Sequence, residues 1–292
     1  MSTSAPWTVG RLLQWTADYL KSHGSDSPRL DTELLLAHVM GCKKIELYTR
    51  FEEEPKEDIR AAFRELVKRR AEGEPVAYLV GRREFYSLDF RVTSDVLIPR
   101  PETEHVVVTL LDLVKSKPKD TPWSIADVGT GSGILAVCAA KNLPAAHVTA
   151  LDISPAALAI AKENAEKHGV ASRIEFLESD LFAAVPTEKK FDFIVSNPPY
   201  VAEGDTTTLA SDVRKYEPHA ALFAGPKGTE VIERLIPQAA ERLKSGGQLL
   251  MEISPMIEES VRKLIAANGN FELLPTIKDL ARQARVVQAK KL

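Results

Sequence analysis

The sequence predicts an α/β fold: a seven-stranded, mostly parallel sheet with interleaved helices, preceded by a small N-terminal helical domain. Three observations predict it. Up to Gly73, apolar residues recur at the three-and-four spacing of helices. From Trp123 onward, short apolar runs alternate with helical stretches, the order of a sheet wound from strand–helix–strand units. The 292 residues are too many for one small domain and comfortable for two.

Val9, Leu12, Leu13, Thr16 and Leu20 mark a first helix. Asp31 to Met40 forms a second, with Gly41 at its C-cap. Ile59, Phe63, Leu66 and Val67 mark a third, ended near Gly73, in a bundle of about four helices. Phe85 to Val92 alternates like a strand and is expected to pair with Ala77 to Val80, a hairpin linking the two domains. A helix from His105 to Lys115 comes next. Strands are then expected at Ile125 to Val128, His147 to Leu151, Ile174 to Leu177, Phe191 to Ser196, Gln248 to Ile253, Phe271 to Leu274 and Arg285 to Gln288. The helices between them are Ile134 to Lys141, Pro155 to His168 with proline in its first turn, Glu230 to Leu243 capped by Gly246-Gly247, and Met256 to Ala267. The last two strands have a link too short for a helical crossover, so they should pair antiparallel. The expected boundaries are a helical bundle over 1–74, a hairpin linker over 75–98 and the sheet domain over 99–292.

Hydrophobic residues make up 44% and charged residues 27%, ordinary for a soluble globular enzyme. The net charge of -3 argues against a general nucleic-acid binder, which needs many Lys and Arg to displace counterions from phosphates. Arg60, Arg64, Lys68, Arg69 and Arg70 read as a solvated helix face. The two cysteines, Cys42 and Cys138, fall in different expected domains, so neither a disulfide framework nor a cysteine-based zinc site is expected. His38, His105, His147, His168 and His219 lack metal-ligand spacing, so no metal is expected. Met1 to Gly10 has no apolar signal core, and no apolar run reaches the roughly 18 residues of a membrane span. A reducing, cytoplasmic compartment and no membrane partner are expected.

The first sheet-domain strand runs into Gly129-Thr130-Gly131-Ser132-Gly133, which opens a helix. Glycines there let the backbone turn sharply and approach a ligand closely, at the strand ends where doubly wound sheets bind ligands. The third glycine comes one residue earlier than in the dinucleotide fingerprint. Asp152 ends the second strand about 20 residues on, where an acid can accept from both hydroxyls of a ribose. Asp180 follows the third strand, where it can read an adenine amine. Together these describe an adenosine pocket, for a nicotinamide cofactor or for S-adenosylmethionine.

Asn197-Pro198-Pro199-Tyr200, at the end of the fourth strand, separates the two. A dehydrogenase has no use for this tetrapeptide, whereas a methyltransferase acting on a planar nitrogen does. The lone pair of an amide is delocalised into its carbonyl and attacks a sulfonium methyl poorly. Two acceptors can hold both N–H bonds and aim the nitrogen: the Asn197 side-chain oxygen and the Pro198 carbonyl. Pro199 has no N–H, and the two rings stiffen the loop. Tyr200 offers a flat face for the amide plane. The rate gain comes from positioning and preorganised dipoles. Asn197, Pro198 and Tyr200 are the expected catalytic residues, and Asn197 to Tyr200 the expected substrate-binding loop.

With these residues in view, the chain resembles the release-factor glutamine methyltransferase (HemK-type) family over nearly its whole length. The resemblance is carried by Asp31 to His38, Leu97 to Glu104, Gly129 to Gly133, Asn197 to Tyr200 and Tyr216 to Leu222. It implies a methyltransferase (Rossmann-like) sheet, S-adenosylmethionine as cofactor and the helical domain as the part that recognises the substrate protein. It also implies that Gly129, Thr130, Gly131, Gly133, Asp152, Asp180 and Leu181 line the cofactor pocket, to which Ser132 and Asn197 are added here. The implied reaction is methylation at N5 of the glutamine in the Gly-Gly-Gln tripeptide of class 1 peptide-chain release factors, with no nucleic-acid partner. Three places depart from the family pattern: Leu181 stands where an aromatic is frequent, with Phe182 next to it; Ser254-Pro255-Met256 follows Glu252-Ile253 where a glycine is usual; and Arg282 replaces another glycine. The alternatives are a glutamine methyltransferase of a ribosomal protein, a nucleic-acid adenine-N6 methyltransferase, and a non-catalytic adapter that binds release factors. Arg100 is expected to meet Glu102, Glu104 or a partner, and Glu217-Pro218-His219 to shape the substrate mouth.

Overall fold

Short apolar stripes on the early helices can be buried only against one another, and five helices do so. The computed structural model describes residues 6–292, without the side chains of Thr207 and Thr208; part of the expectation for Met1 to Gly10 therefore lies outside the described residues. The helices are α1 (Val9–Ser22), α2 (Pro28–Val39), α3 (Lys44–Thr49), α4 (Glu57–Ala71) and α5 (Val76–Val80). The Thr8 hydroxyl caps α1 by accepting from the Arg11 N–H at 3.3 Å. Its apolar stripe of Val9, Leu12 and Leu20 meets Leu35, Leu36, Leu47, Phe63 and Val67 in one core. Arg70 crosses from α4 to Asp31 on α2 at 2.7 Å, while Arg60 and Arg64 pair with nearby glutamates on the surface.

Helix α5 corrects one expectation. Ala77 to Val80 was assigned to a strand, but it is helical and ends at Gly81 in the left-handed region. Five residues are too few to separate a period of two from one of 3.6, and Pro75 sets the entry angle. The hairpin instead pairs β1 (Arg82–Phe85) with β2 (Leu88–Arg91). Tyr86 and Ser87 both take positive φ at its two-residue turn, the handedness that matches strand twist.

The remaining elements are α6 (Glu104–Val114), β3 (Ser124–Val128), α7 (Ile134–Asn142), β4 (His147–Asp152), α8 (Pro155–Lys167), β5 (Ile174–Glu178), β6 (Phe191–Ser196), β7 (Val201–Ala202), α9 (Ser211–Tyr216), α10 (His219–Leu222), β8 (Phe223–Gly225), α11 (Glu230–Arg242), β9 (Leu243–Glu252), α12 (Glu258–Asn268), β10 (Phe271–Leu273), β11 (Ile277–Lys278) and β12 (Ala284–Lys291). The sheet runs β10-β12-β9-β6-β3-β4-β5, seven strands on a continuous path, with short β11 added beside β12. Strands β5, β4, β3, β6 and β9 are parallel, and β12 is antiparallel to β9 and β10. The residues of β3, β4 and β6 are buried on both faces, which is why these strands read as continuous apolar runs. Strand order reverses between β3 and β6, so a crevice opens at their carboxyl ends.

Gly246-Gly247 does not cap α11, as the sequence suggested. The helix stops at Arg242 and the chain enters β9 at once. The register against β6 jumps from Phe191↔Leu243 to Phe193↔Gln248, and the two glycines absorb the extra residues. A Cβ on Gly247 would stand 2.9 Å from the Asp192 carbonyl, so the bulge needs a glycine.

Contacts divide the chain into two compact units, Met1–Arg82 with Ala210–Tyr216, and Arg83–Leu209 with Glu217–Leu292. Among the described residues no helix is long and apolar enough to cross a membrane, and no three His, Cys, Asp or Glu side chains converge as metal ligands.

Candidate active site

The crevice between β3 and β6 is a cavity of about 380 Å³. Its floor is the glycine loop after β3. Gly129 and Gly131 take φ of +74° and +54°, which a side chain tolerates poorly. The Gly129 and Thr130 N–H groups both donate to the Leu151 carbonyl, at 2.8 and 2.9 Å, pinning the loop to the end of β4. Gly131 N–H donates to Asp152 Oδ2 at 2.8 Å and Ser154 N–H to Asp152 Oδ1 at 2.9 Å. The Asp152 carboxylate is thus oriented by backbone donors, with lone pairs left on both oxygens. Burial nevertheless holds its pKa above the usual carboxylate range, against those bonds.

Asp127, at the end of β3, is fully buried in the cavity wall. Its Oδ2 accepts from the Thr130 hydroxyl at 2.6 Å and from the Ala136 N–H at 3.0 Å. Its Oδ1 has no hydrogen-bond partner among the described residues. Burial pushes this carboxyl up to about 7, and only the two bonds to Oδ2 oppose it. An unpaired acceptor at this depth suits a ligand cation.

Of the expected site residues, the cavity wall takes in Gly129, Thr130, Gly131, Ser132, Asp152, Asp180, Leu181, Asn197 and Pro199. Gly133, Pro198 and Tyr200 are not on it. Gly133 has no room for a side chain because a Cβ would come within 3.0 Å of Ala161, so it serves the packing of α7 on α8. Pro198 is buried, and the Tyr200 ring packs against the apolar core on the β9 and α11 side of the sheet. Burial, and then the Glu252 charge, push its phenol up to about 12. Asp180 is engaged by Arg234, which also lines the cavity. Leu181 holds its place on the wall with φ of +51°, while Phe182 turns into the core against Phe191.

One wall residue carries a signal too weak to have been singled out. Ile153, next to Asp152, is 62% exposed and faces the cavity as an apolar plate. Arg100 bonds neither Glu102 nor Glu104. Its guanidinium meets Glu217, a carboxylate that also accepts from the Ile98 N–H at 3.2 Å. That pair ties the Leu97 to Arg100 stretch to Pro218 and Ala221; Leu97, Pro99, Arg100, Pro218 and Ala221 stand on the same wall, while Ile98 and Glu217 are buried behind it. Asn197 donates through Nδ2 to the Thr103 hydroxyl at 3.2 Å. These partners lie about a hundred residues apart in the chain, so no local pattern announces them.

Comparisons with known proteins meet this geometry at both ends of the chain. The PrmC N-terminal domain family matches residues 11–81, and the methyltransferase small domain family matches residues 109–214. A release factor glutamine methyltransferase of Rhodopirellula baltica is 50% identical over 99% of this chain and 98% of its own length. The chain belongs to the release factor glutamine methyltransferase family. A second member of that family, from Koribacter versatilis, is 43% identical over 90% of this chain and 92% of its own. The sheet fold is shared more widely. A Thermus thermophilus 16S rRNA N2 G1207 methyltransferase, solved with AdoMet and guanosine, superposes with a TM-score of 0.53 at 19% identity, over 72% of this chain and 50% of the other. The enzyme is therefore a methyltransferase, and the fold expected from the sequence is the fold observed.

Proposed function

We propose that this chain transfers the methyl group of S-adenosylmethionine to N5 of the glutamine in the Gly-Gly-Gln tripeptide of class 1 peptide-chain release factors. The observation that carries this reading is Asn197 standing on the wall of the same cavity as the glycine loop and Asp152. Family membership supplies the substrate, since the relatives are named for release factor glutamine methylation. The helical unit, matched by the PrmC N-terminal domain family, is read as the part that recognises the release factor. On this reading the reaction takes place in the cytoplasm, where release factors act, and needs no nucleic-acid partner.

The wall fits the cofactor. The unpaired Asp127 Oδ1 suits its ammonium group, and the oriented Asp152 carboxylate suits the ribose hydroxyls. Ile153 and Leu181 offer apolar surface to a flat base, and Asp180 with Arg234 closes that end. When bound, the cofactor supplies an electrophilic methyl on its sulfonium. The chain's own part is to hold the acceptor nitrogen. Asn197 Oδ1 accepts one amide N–H and the Pro198 carbonyl the other, which aims the nitrogen's π face and removes its rotational freedom. The proline rings keep those dipoles in place, so none has to reorganise as charge develops. No strong base is required, because an N-methylated amide cation releases its proton readily.

The test is a transfer assay on a purified class 1 release factor, followed by peptide mass analysis. The expected result is one methyl group on the peptide that holds Gly-Gly-Gln. Cofactor binding with no methylated release factor would refute the substrate, and strongly salt-sensitive transfer to nucleic acid would favour adenine instead.

A further inference from the structure

Helix interiors rarely gain from asparagine, whose side chain competes with the backbone for hydrogen bonds, so a buried one calls for a tertiary reason. Asn164 lies in α8 and is 0% exposed. Its Oδ1 accepts from the Arg91 N–H at 2.7 Å. Its Nδ2 donates to the Arg91 carbonyl at 3.0 Å and to the Ser132 carbonyl at 2.8 Å. The oxygen and both N–H bonds of the amide thus each have a partner. Those partners fix which way the amide faces, since an N–H only donates and a carbonyl only accepts. Arg91 ends β2 of the hairpin, and Ser132 belongs to the glycine loop on the cavity wall.

The hairpin has other ties to α8 and its C-cap. Lys167 reaches Asp89 at 2.7 Å, His168 Nε2 meets the Asp89 carbonyl at 3.1 Å, and Arg91 pairs with Glu163. Of these groups, Asn164 alone continues to the glycine loop. Its bond falls where the loop is most constrained. Ser132 stands between Gly131 and Gly133, both of positive φ. A Cβ on Gly133 would come within 3.0 Å of Ala161, which lies one helical turn before Asn164 on the same face of α8. Ala161 lets the loop approach, and Asn164 holds it there. The Gly131 N–H that orients Asp152, at 2.8 Å, is on the residue next to Ser132.

We infer that Asn164 is a positioning residue for the methyl donor. It holds the Ser132 carbonyl, so the glycine loop keeps its cofactor-binding course, and it couples that course to the end of β2. The inference rests on the reading of the glycine loop as the cofactor site and adds a residue to it. Asn164 is not on the cavity wall, so its effect reaches the cofactor through the loop. A loop that spends only part of its time in the competent course binds with an affinity reduced by that fraction. The coupling is reciprocal, so a ligand that steadies the loop also steadies Arg91.

The experiment titrates S-adenosylmethionine calorimetrically into wild type, Asn164→Leu, Asn164→Asp and Glu163→Ala, with steady-state methyl transfer to a class 1 release factor alongside. Leucine fills the space without hydrogen bonds. Aspartate keeps the acceptor for the Arg91 N–H but turns lone pairs toward both carbonyls. Each should raise Kd and the KM for S-adenosylmethionine on the order of 10-fold or more, while kcat at saturating cofactor stays within about three-fold of wild type. Glu163→Ala removes the exposed ion pair with Arg91 and keeps the backbone groups that Asn164 holds, so its Kd should stay within about two-fold. Wild-type Kd in either Asn164 variant, or an equal rise in Glu163→Ala, would overturn the inference. Amide hydrogen exchange reads the same link in the unaltered chain, and it decides should both Asn164 variants fail to fold. Saturating S-adenosylmethionine should slow exchange of the Arg91 N–H by at least about five-fold, and an unchanged rate would overturn the inference. A wild type that binds no S-adenosylmethionine would instead overturn the reading of the cavity itself.

Discussion

On the proposed mechanism Asn197 is the residue on which the chemistry converges, because its side-chain oxygen is one of two acceptors that would hold the substrate nitrogen. Asn197→Ala is expected to lower kcat by at least about 10²-fold while cofactor affinity stays within a few-fold. Kinetics together with calorimetric cofactor titration check this, and a fully active variant would contradict it. Asp127 acts on the other side of the cavity and at a cost to the fold. Its carboxyl titrates at about 7 in the folded chain, above the ordinary value of 3.8. Between those values the folded state binds the proton more tightly than the unfolded one, so this group's contribution to stability falls as pH rises through the window. Asp127→Asn cannot ionise. Without cofactor it should be more stable than wild type at pH 8, on the order of 1–3 kcal/mol, and no more stable near pH 4. Its cofactor affinity should drop about 10–100-fold, the loss of a charge-assisted bond. Thermal melts at the two pH values decide the first part, and an unchanged difference between them would refute it.

At the scale of elements, two turns carry strain or closeness that can be tested. Gly228 sits at φ of +77°, and a Cβ there would come within 2.8 Å of the Tyr200 carbonyl. The Asn197 to Tyr200 loop therefore keeps its course only while residue 228 lacks a side chain. Gly228→Ala should cost about 1–3 kcal/mol of stability and lower kcat by up to on the order of 10²-fold, since displaced acceptors aim badly. Chemical denaturation and steady-state kinetics measure both. Arg282 shows the opposite situation, a long side chain held at φ of +63° where related chains are expected to carry glycine. Arg282→Gly should leave activity intact and stabilise by about 1 kcal/mol or less, the left-handed penalty minus the extra entropy that glycine loses. A clear fall in melting temperature would contradict that.

These elements also show what was legible in the chain. Strands β3, β4 and β6 are buried on both faces, so their apolar runs stood out, as did the glycine loop and Asn197 to Tyr200 at their ends. Helix α5 was misread because five residues hold no decisive period, and Gly246-Gly247 because a bulge and a cap ask for the same residue. Thr103 and the Arg100–Glu217 pairing were not singled out for a different reason. Each acts through a partner far away in sequence, which only the folded sheet edge brings near. Gly133 and Tyr200 belong to the right motifs but stand outside the cavity wall, since a motif fixes a backbone course and not every side chain's direction.

For the whole molecule, topology explains why a methyl donor and a protein amide could meet here. The strand order reverses between β3 and β6, and the loops that leave those two strands are the glycine loop and the Asn197 loop. We propose that this edge methylates a glutamine side-chain amide of a release factor. The most direct measurement is methyl transfer to a class 1 release factor and to the same factor with its Gly-Gly-Gln glutamine replaced by alanine, with fragment mass spectra locating the added group. The expected result is a single methyl on the glutamine side chain in the first and none in the second. Equal methylation of both, or a methyl located anywhere else, would contradict the claim.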